Sequence, residues 1–497
     1  MRKFFLILAA SLMTTGVFAE GYQVNNMSAK QTGMGHVGTA MQLNSESVFF
    51  NPAATAFQKS KFDISVGFTG VLSSVRYRAL PTAENNYTIG DAQKSDNGLS
   101  TPLHMYFNYK PTERLALGLG FYTPDGSSMK WNDNWSGAHL IQEINLAAFT
   151  VQPTLSYKIT DRFSIGAGLT VTWGNFDLSR SMLRVGIANQ KFQQIPGLVQ
   201  GLIATGKIPA AMAGPLQAKA NYMANYFKDN LTDAPIVSTK MAGDADVAVG
   251  INAGFLWEIN DEWSVGMTWR SRVNMKVARG NAQMLYGSEE AKQILGELNG
   301  LAPTLGGMLG TQLPYLLPPL DEGTFKAELP LPTSVTWGVS FRPTPKWEFA
   351  VDLQWVGWSA YDRLEVTFNE PELHIKPIVS VKNYSNTLAF RFGGEYRATD
   401  FITARMGMYV DESPVNSNYL NPETPSMTKV SYTAGLSLRP TKKMSIDMSY
   451  CYVSTADPER TGQYPVYNYM SGKLEEAFSG NYALHAHVFS VGLNFAF

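Results

Sequence analysis

The last nine residues alternate without a break: Phe489, Val491, Leu493, Phe495 and Phe497 hold one parity, and Ser490, Gly492, Asn494 and Ala496 the other. Successive side chains of a strand point to opposite faces, so this run writes one greasy face and one small, polar face. The pattern returns in Phe163-Ile165-Ala167-Leu169-Val171-Trp173, in Val247-Val249-Ile251-Ala253-Phe255-Trp257 and in Trp263-Val265-Met267-Trp269. Such a ribbon either packs its apolar face into a soluble sandwich or turns it toward lipid in a closed barrel. Ending on an aromatic of the apolar parity favours lipid, and the composition agrees, with 12% aromatic residues, 16% charged residues and 43 glycines. Beyond the leader no stretch holds eighteen consecutive apolar residues, so a helix cannot carry this chain through a bilayer.

Arg2 and Lys3 precede an apolar run from Phe4 to Met13, and Val17-Phe18-Ala19 supplies the small residues that a signal peptidase reads. Residues 1–19 are therefore expected to be a secretory signal peptide. Export with a single cysteine, Cys451, excludes a disulfide framework and a thiolate metal cluster. Forty Lys and Arg against 41 Asp and Glu leave no net field to recruit nucleic acid. A length of 497 residues would ordinarily mean several domains, yet no linker or charge run divides the chain. One large all-β transmembrane antiparallel barrel accounts for that continuity.

Tight turns are predicted at Pro111-Thr112-Glu113, Thr160-Asp161-Arg162, Asn260-Asp261-Glu262, Pro343-Thr344-Pro345, Thr399-Asp400 and Pro440-Thr441-Lys442, where Pro, Asp, Asn and Thr reverse a chain. Between them and the longer polar segments, about fourteen strands fit into residues 61–497, the third from Arg114 to Thr123 and the sixth from Asp246 to Ile259. An even number with both ends periplasmic suits a bacterial outer-membrane barrel with short inner turns and long outer loops. Two outer loops, 178–245 and 280–322, are long enough to fold. In the first, Phe192, Ile195, Leu198, Val199, Leu202 and Ile203 fall at helical spacing, broken by Pro196-Gly197, and Leu216, Ala220, Met223 and Phe227 repeat it. In the second, Ser288 is the expected N-cap of a helix bearing Ala291, Ile294, Leu295 and Leu298, with Glu289 and Glu290 at its positive end. These faces either bury one another or form a groove that captures an apolar ligand.

Ahead of the first strand the chain reads Ser28-Ala29-Lys30-Gln31-Thr32-Gly33-Met34-Gly35-His36-Val37-Gly38-Thr39-Ala40, then Ser47-Val48-Phe49-Phe50-Asn51-Pro52-Ala53-Ala54. Further on stand Trp358-Ser359-Ala360-Tyr361 and Asp411-Glu412-Ser413-Pro414-Val415. Across nearly the whole mature chain this resembles the FadL/TodX family of outer-membrane transporters for long-chain fatty acids and other hydrophobic compounds. The resemblance implies a small N-terminal hatch, residues 20–60, inside the barrel, with the Gly-rich segment and Asn51, Pro52 and Ala53 as its motif. It also implies a kink in the third strand, for which Thr123-Pro124-Asp125-Gly126 is suited: Pro124 removes a ladder donor and Gly126 permits a bend. Ligand would pass sideways there, beside the inward-facing Gly118 and Gly120. The two long loops and Asn44-Ser45-Glu46 depart from the family's pattern. Gly33-x-Gly35-x-x-Gly38 also matches a dinucleotide fingerprint, but it follows no strand.

Parity turns Arg270, Arg272, Arg391, Arg397 and Arg405 inward, with Glu348, Asp352, Glu395, Asp411 and Asp447. The short turn at Thr399-Asp400 places Arg405 near Glu395 as an ion pair. An inward Arg391 or Arg405 left without a partner could instead receive a carboxylate ligand. No Ser, His and orienter converge and the six histidines show no ligand spacing, so neither an enzyme nor a metal or other cofactor is expected. Expected partners are outer-membrane lipids, a hydrophobic small molecule, and the barrel assembly machinery reading the strand that ends at Phe497; a monomer is expected. A water-filled porin and the barrel of a secretion or surface-attachment system are the alternatives.

Overall fold

The computed structural model describes residues 21–80, 92–183, 185–230, 236–309, 317–373, 375–467, 474 and 477–497. The expected signal peptide lies outside them. Twenty strand segments form one sheet. Six wall strands come in two pieces, which leaves fourteen among the described residues. They are β1 Phe62–Ala79, β2 Gln93–Lys94 with Leu103–Tyr109, β3 Leu115–Lys130, β4 Glu143–Thr160, β5 Phe163–Ser181, β6 Val237–Glu258 and β7 Trp263–Arg270 with Val273–Tyr286. There follow β8 Glu322–Leu331 with Ser334–Thr344, β9 Trp347–Val356 with Arg363–Phe368, and β10 Ile378–Val381 with Thr387–Arg397. The wall ends with β11 Ile402–Asp411, β12 Lys429–Thr441, β13 Met444–Thr455 with Arg460–Tyr464, and β14 Phe478–Ala496. Each pairs antiparallel with its neighbour, and β14 pairs back onto β1 from Asp63↔Ala496 to Ala79↔Gly480, closing the barrel. No described helix is long and apolar enough to cross a membrane.

Alternation gives this wall a burial pattern opposite to that of a soluble protein. Phe489 and Val491 are 50% and 44% exposed, whereas Ser490 between them is 2% exposed. A hydroxyl turned inside finds partners there, as Ser490 does with Thr69 across the ladder at 2.7 Å. The outward face carries stacked aromatics near the short turns, including Trp263 on Phe341 and Trp347 on Tyr396, each with centroids 4.4 Å apart. Aromatic rings in such belts sit at the headgroup level of a bilayer.

Several strands run farther than their apolar alternation. β6 starts at Val237 rather than Asp246, and β3 continues through Pro124 to Lys130 instead of stopping at Thr123. Beyond the greasy band the ladders continue on polar residues, which carry no periodic signal. Two one-turn helices, α1 Ala29–Thr32 and α2 Ser47–Phe50, precede the first strand; the helices of the outer loops are present, with one correction. Val185–Ala204 (α3) runs through Pro196 without the break expected at Pro196-Gly197. The missing Pro196 N–H leaves the Phe192 carbonyl without its turn bond, but packing holds the helix across it: Gln217 Nε2 donates to Pro196 O at 3.2 Å, and Phe192 stacks on Phe227 of Ala210–Asn230 (α4) with centroids 3.7 Å apart. The helix Glu289–Leu309 (α5) begins as expected, with the Ser288 hydroxyl accepting from Ala291 N at 3.0 Å.

Candidate functional site

The inner segment Gly21–Ser60 touches inward residues on opposite sides of the ring and is almost wholly buried. Its backbone lies directly on the wall where inward positions lack side chains. A β-carbon at Gly393 would fall 2.1 Å from Met34 O, and one at Gly166 2.6 Å from Ala53 N. Gly35 needs a left-handed φ of 67°, and its N–H donates to Thr433 Oγ1 at 2.9 Å.

Polar wall groups fix the segment from below. Asp352 Oδ2 accepts from Gly38 N at 2.9 Å, Thr39 N at 3.1 Å and Thr39 Oγ1 at 2.8 Å. Asn51 is extended and caps the 3-10 turn Pro52–Phe57 through Ala53 N, where proline suits the first position. Its amide donates to Thr39 O at 2.7 Å and to Phe255 O at 2.8 Å, tying two parts of the segment to β6. Ala53 O accepts from Ser164 Oγ at 2.8 Å. The Arg270 guanidinium lies 3.6 Å from the Phe49 ring centroid and donates to Phe49 O. Opposite Gly118 and Gly120 sits Val48, so the space those glycines leave is filled.

The first five described residues, Gly21 to Asn25, form a strap that joins four of the residues singled out in the sequence. β2 and β3 pair only from Tyr109↔Leu117 to His104↔Tyr122, and a bulge between Tyr122 and Asp125 follows on the other edge of β3. Past the bulge the free edge of β3 pairs with the strap: Val24 N donates to Pro124 O at 2.8 Å, and Gly126 N to Tyr22 O at 2.9 Å. Across from this edge lie Gly98, where a β-carbon would meet nothing within 4 Å among the described residues, and Leu99, 57% exposed. β3 rejoins that side only at its tip, where Asp96 N donates to Lys130 O at 2.8 Å. A seam in the wall is thus spanned from inside by the strap.

Asn25 anchors the strap's other end. Its amide donates to Asp411 Oδ2 at 3.2 Å, and its Oδ1 accepts from Arg391 Nη2 at 3.0 Å. Tyr22 is 3% exposed, donates to Pro330 O, and meets Trp358 and Tyr361 edge-on at 4.8 and 5.7 Å. Trp358 and Tyr361 belong to the motif noted in the sequence, whereas nothing local marked Tyr22.

The arginines proposed as carboxylate receptors already hold acidic or amide partners within the barrel. Arg391 also donates to Gln354 Oε1 at 2.7 Å and lies 3.9 Å from Asp411, and Arg405 pairs with Glu395 at 3.0 Å as the turn geometry predicts. Arg272 is not in the buried cluster: it stands exposed at the break in β7, donating to Asn274 Oδ1 at 2.8 Å. Above the strap, in loop segments outside the strands, Lys382 and Glu423 form a buried pair at 2.9 Å. Burial opposes the lysine's charge most strongly of any single influence, but Glu423 together with Tyr361, Tyr464 and Tyr384 outweighs it and holds the ammonium above its ordinary range. Farther out, a cleft between the tops of β6 to β10 is lined by Met182, Met241, Met284, Leu320, Phe368 and Leu373. Its rim carries Asp321, which accepts from Lys292 of α5 at 2.6 Å and from Tyr286 at 2.8 Å. Among the described residues no group of three or more His, Cys, Asp or Glu could hold a metal.

A family model described as outer membrane protein transport protein (OMPP1/FadL/TodX) matches residues 10–497. A long-chain fatty acid transport protein of Escherichia coli O157:H7 is 23% identical over 454 residues, covering 90% of this chain and 91% of its own length. Among solved structures, a FadL homologue of Pseudomonas aeruginosa superposes with a TM-score of 0.71 at 19% identity over 96% of this chain and all of its own. The toluene transporter TodX of Pseudomonas putida gives 0.62 at 15% identity over 96% of this chain and 99% of its own.

Proposed function

The chain belongs to the outer membrane protein transport family OMPP1/FadL/TodX, and we propose that it takes up long-chain fatty acids, which leave the lumen sideways through the seam beside β3. It is an outer-membrane β-barrel for transport of hydrophobic compounds, a channel and not an enzyme. One observation carries the lateral reading: past Tyr122 the edge of β3 pairs with the strap from inside instead of with β2. When the strap withdraws, Pro124 O and Gly126 N lose their partners and the seam opens to the hydrocarbon. An acyl chain that steps directly into lipid avoids hydration of about 0.8 kcal/mol per CH₂, roughly ten kcal/mol for sixteen carbons. A passage to periplasmic water would cost that amount.

The methionine-rich outer cleft is the first capture site, since flexible thioethers fit apolar ligands of varied shape. Asn51, Pro52 and Ala53 hold the lower hatch on β5 and β6 as a fixed plug, while Asn25, Arg391 and Asp411 set the strap's resting position. The fatty-acid class is supported by the relative of that name; the toluene transporter among the similar folds supports the wider hydrophobic class. The test is a bis-maleimide tether from Leu99→Cys to Gly126→Cys in a Cys451→Ser background, with labelled oleate uptake measured in cells. Tethering is expected to abolish uptake. Uptake equal to that of the untethered protein refutes the lateral route, and mass spectrometry of purified barrel that finds an aromatic instead of an acyl chain refutes the ligand class.

A further inference from the structure

At the end of the barrel that carries the short turns, three arginines reach the floor from neighbouring strands: Arg397 of β10, Arg405 of β11 and Arg439 of β12. They line an open basin of about 1240 Å³ beneath the inner segment. Arg405 engages two carboxylates, with Nε 3.0 Å from Glu395 and Nη1 3.8 Å from Asp447; Asp63, Asp261, Glu262, Glu348 and Asp400 also border the basin. Asp447 is further occupied by Ser437 and Asn494. Lys30, which also borders the basin, pairs with Glu46 at 3.6 Å. Among the described residues, neither Arg397 nor Arg439 has a carboxylate within 4.0 Å or a side-chain hydrogen bond.

Orphaned donors gather at the same place. Arg397 Nε, Arg405 Nη2 and the Thr403 hydroxyl are each shut off from solvent and have no hydrogen-bond partner among the described residues. The Arg405 side chain is 1% exposed. Arg397 faces Thr403 across the β10–β11 ladder and Glu395 faces Arg405 two residues along, so the three orphans lie on neighbouring rungs. Buried donors are nearly always satisfied in folded proteins. Arg405 takes up Glu395 and Asp447, and Arg342 takes up Glu348 of the same basin; the Arg397 and Arg439 guanidinium groups, with spare donors on adjacent strands, are complementary to an oxyanion that the described residues do not supply.

We propose that this floor binds the oxyanion head of an amphiphile, a carboxylate or a phosphate, between Arg397 and Arg439, with Thr403 and Arg405 Nη2 as further donors. A guanidinium fork matches either head with two parallel charge-assisted hydrogen bonds. The site goes beyond the lateral route. It serves a group that cannot follow an apolar tail into hydrocarbon, and it stands or falls independently of the seam.

Calorimetric titration of the purified full-length barrel in non-ionic detergent tests this, with decanoate, inorganic phosphate and uncharged decanol as probes. Saturable binding of at least one anion is expected, weakened tenfold or more by Arg397→Gln and by Arg439→Gln and unchanged by Arg272→Gln. Decanol binding should ignore all three substitutions. Binding of decanoate without phosphate assigns a carboxylate head, and binding of phosphate assigns a phosphate head. Arg397→Lys keeps the charge but loses the fork, so it should fall between parent and Gln variant; the heat-dependent gel mobility of each barrel controls for folding. Absence of anion binding, or anion binding that survives both Gln substitutions, overturns the proposal.

Discussion

Asp352→Ala should loosen the hatch without harming the barrel. Asp352 is 1% exposed and its Oδ2 gathers three donors from two consecutive hatch residues. Removing the carboxylate strands two backbone N–H groups, each at about 1–3 kcal/mol, while the Thr39 hydroxyl is free to rotate to another acceptor. Against this stands relief of burying a charge whose second oxygen, Oδ1, has no partner among the described residues, which points to the low end of the range, about 3 kcal/mol in total. At about 1.4 kcal/mol per factor of ten, the undocked hatch becomes roughly a hundredfold more populated. Planar-bilayer recording reads this directly as time spent in a high-conductance state. Asp352→Asn, which keeps an acceptor but not the charge, should lie between. If Asp352→Ala conducts like the parent while its barrel stays folded, the carboxylate does not hold the hatch and the reasoning from those three hydrogen bonds is wrong.

Gly393→Ala should displace the hatch as well, because the new methyl meets Met34 O at 2.1 Å; raised conductance with unchanged wall strands by infrared spectroscopy is expected, and a silent variant would show that the backbone contact is soft. Tyr22→Ala removes the strap's aromatic anchor, at about 3–5 kcal/mol by analogy with core aromatic truncations, so strap protease sensitivity should rise in detergent. Lys382→Met strands a buried carboxylate and should lower thermal stability by about 3–5 kcal/mol, whereas Lys382→Met with Glu423→Leu should recover most of it; equal loss in both variants would contradict the pairing argument. The latch between α5 and the cleft rim should open in acid. Burial alone would raise the Asp321 carboxyl, but hydrogen bonds from Lys292 and Tyr286 outweigh it and hold the group below its usual 3.8. Its contribution is therefore complete above about pH 4 and fades as pH falls through the folded value. Hydrogen exchange in α5 should accelerate at pH 3 relative to pH 6 beyond the intrinsic change, and Asp321→Asn should remove that extra acceleration.

What the chain states openly is its wall. Period-two alternation is local, so each strand could be read without its neighbours, and the turn at Thr399-Asp400 was enough to pair Arg405 with Glu395. The break in β7 at Ser271-Arg272 and the continuation of β3 past Pro124 were hidden because both lie where apolar alternation ends. The strap was hidden for another reason. Asn25 and Asp411 stand 386 positions apart, Tyr22 and Pro330 308, and no periodicity links such residues. Pro124, Gly126, Arg391 and Asp411 were each visible as unusual, but not as contacts of one five-residue stretch. A usable signal was present in the inward-parity glycines Gly166, Gly393 and Gly407: a lumen face that repeatedly gives up its side chains is making room for another backbone.

The ring closes where β1 meets β14, and the carbonyl of Phe497 accepts from both Lys61 N at 2.8 Å and Phe62 N at 3.1 Å. The inner segment leaves the wall at that same junction. The inner segment therefore hangs from the lip of the slot that closes the ring. During biogenesis the contents can therefore be loaded while the sheet is still an open ribbon, and the joining of first and last strands seals them in. The order in which the chain is written, filling first and fastening last, is then also a workable order of assembly.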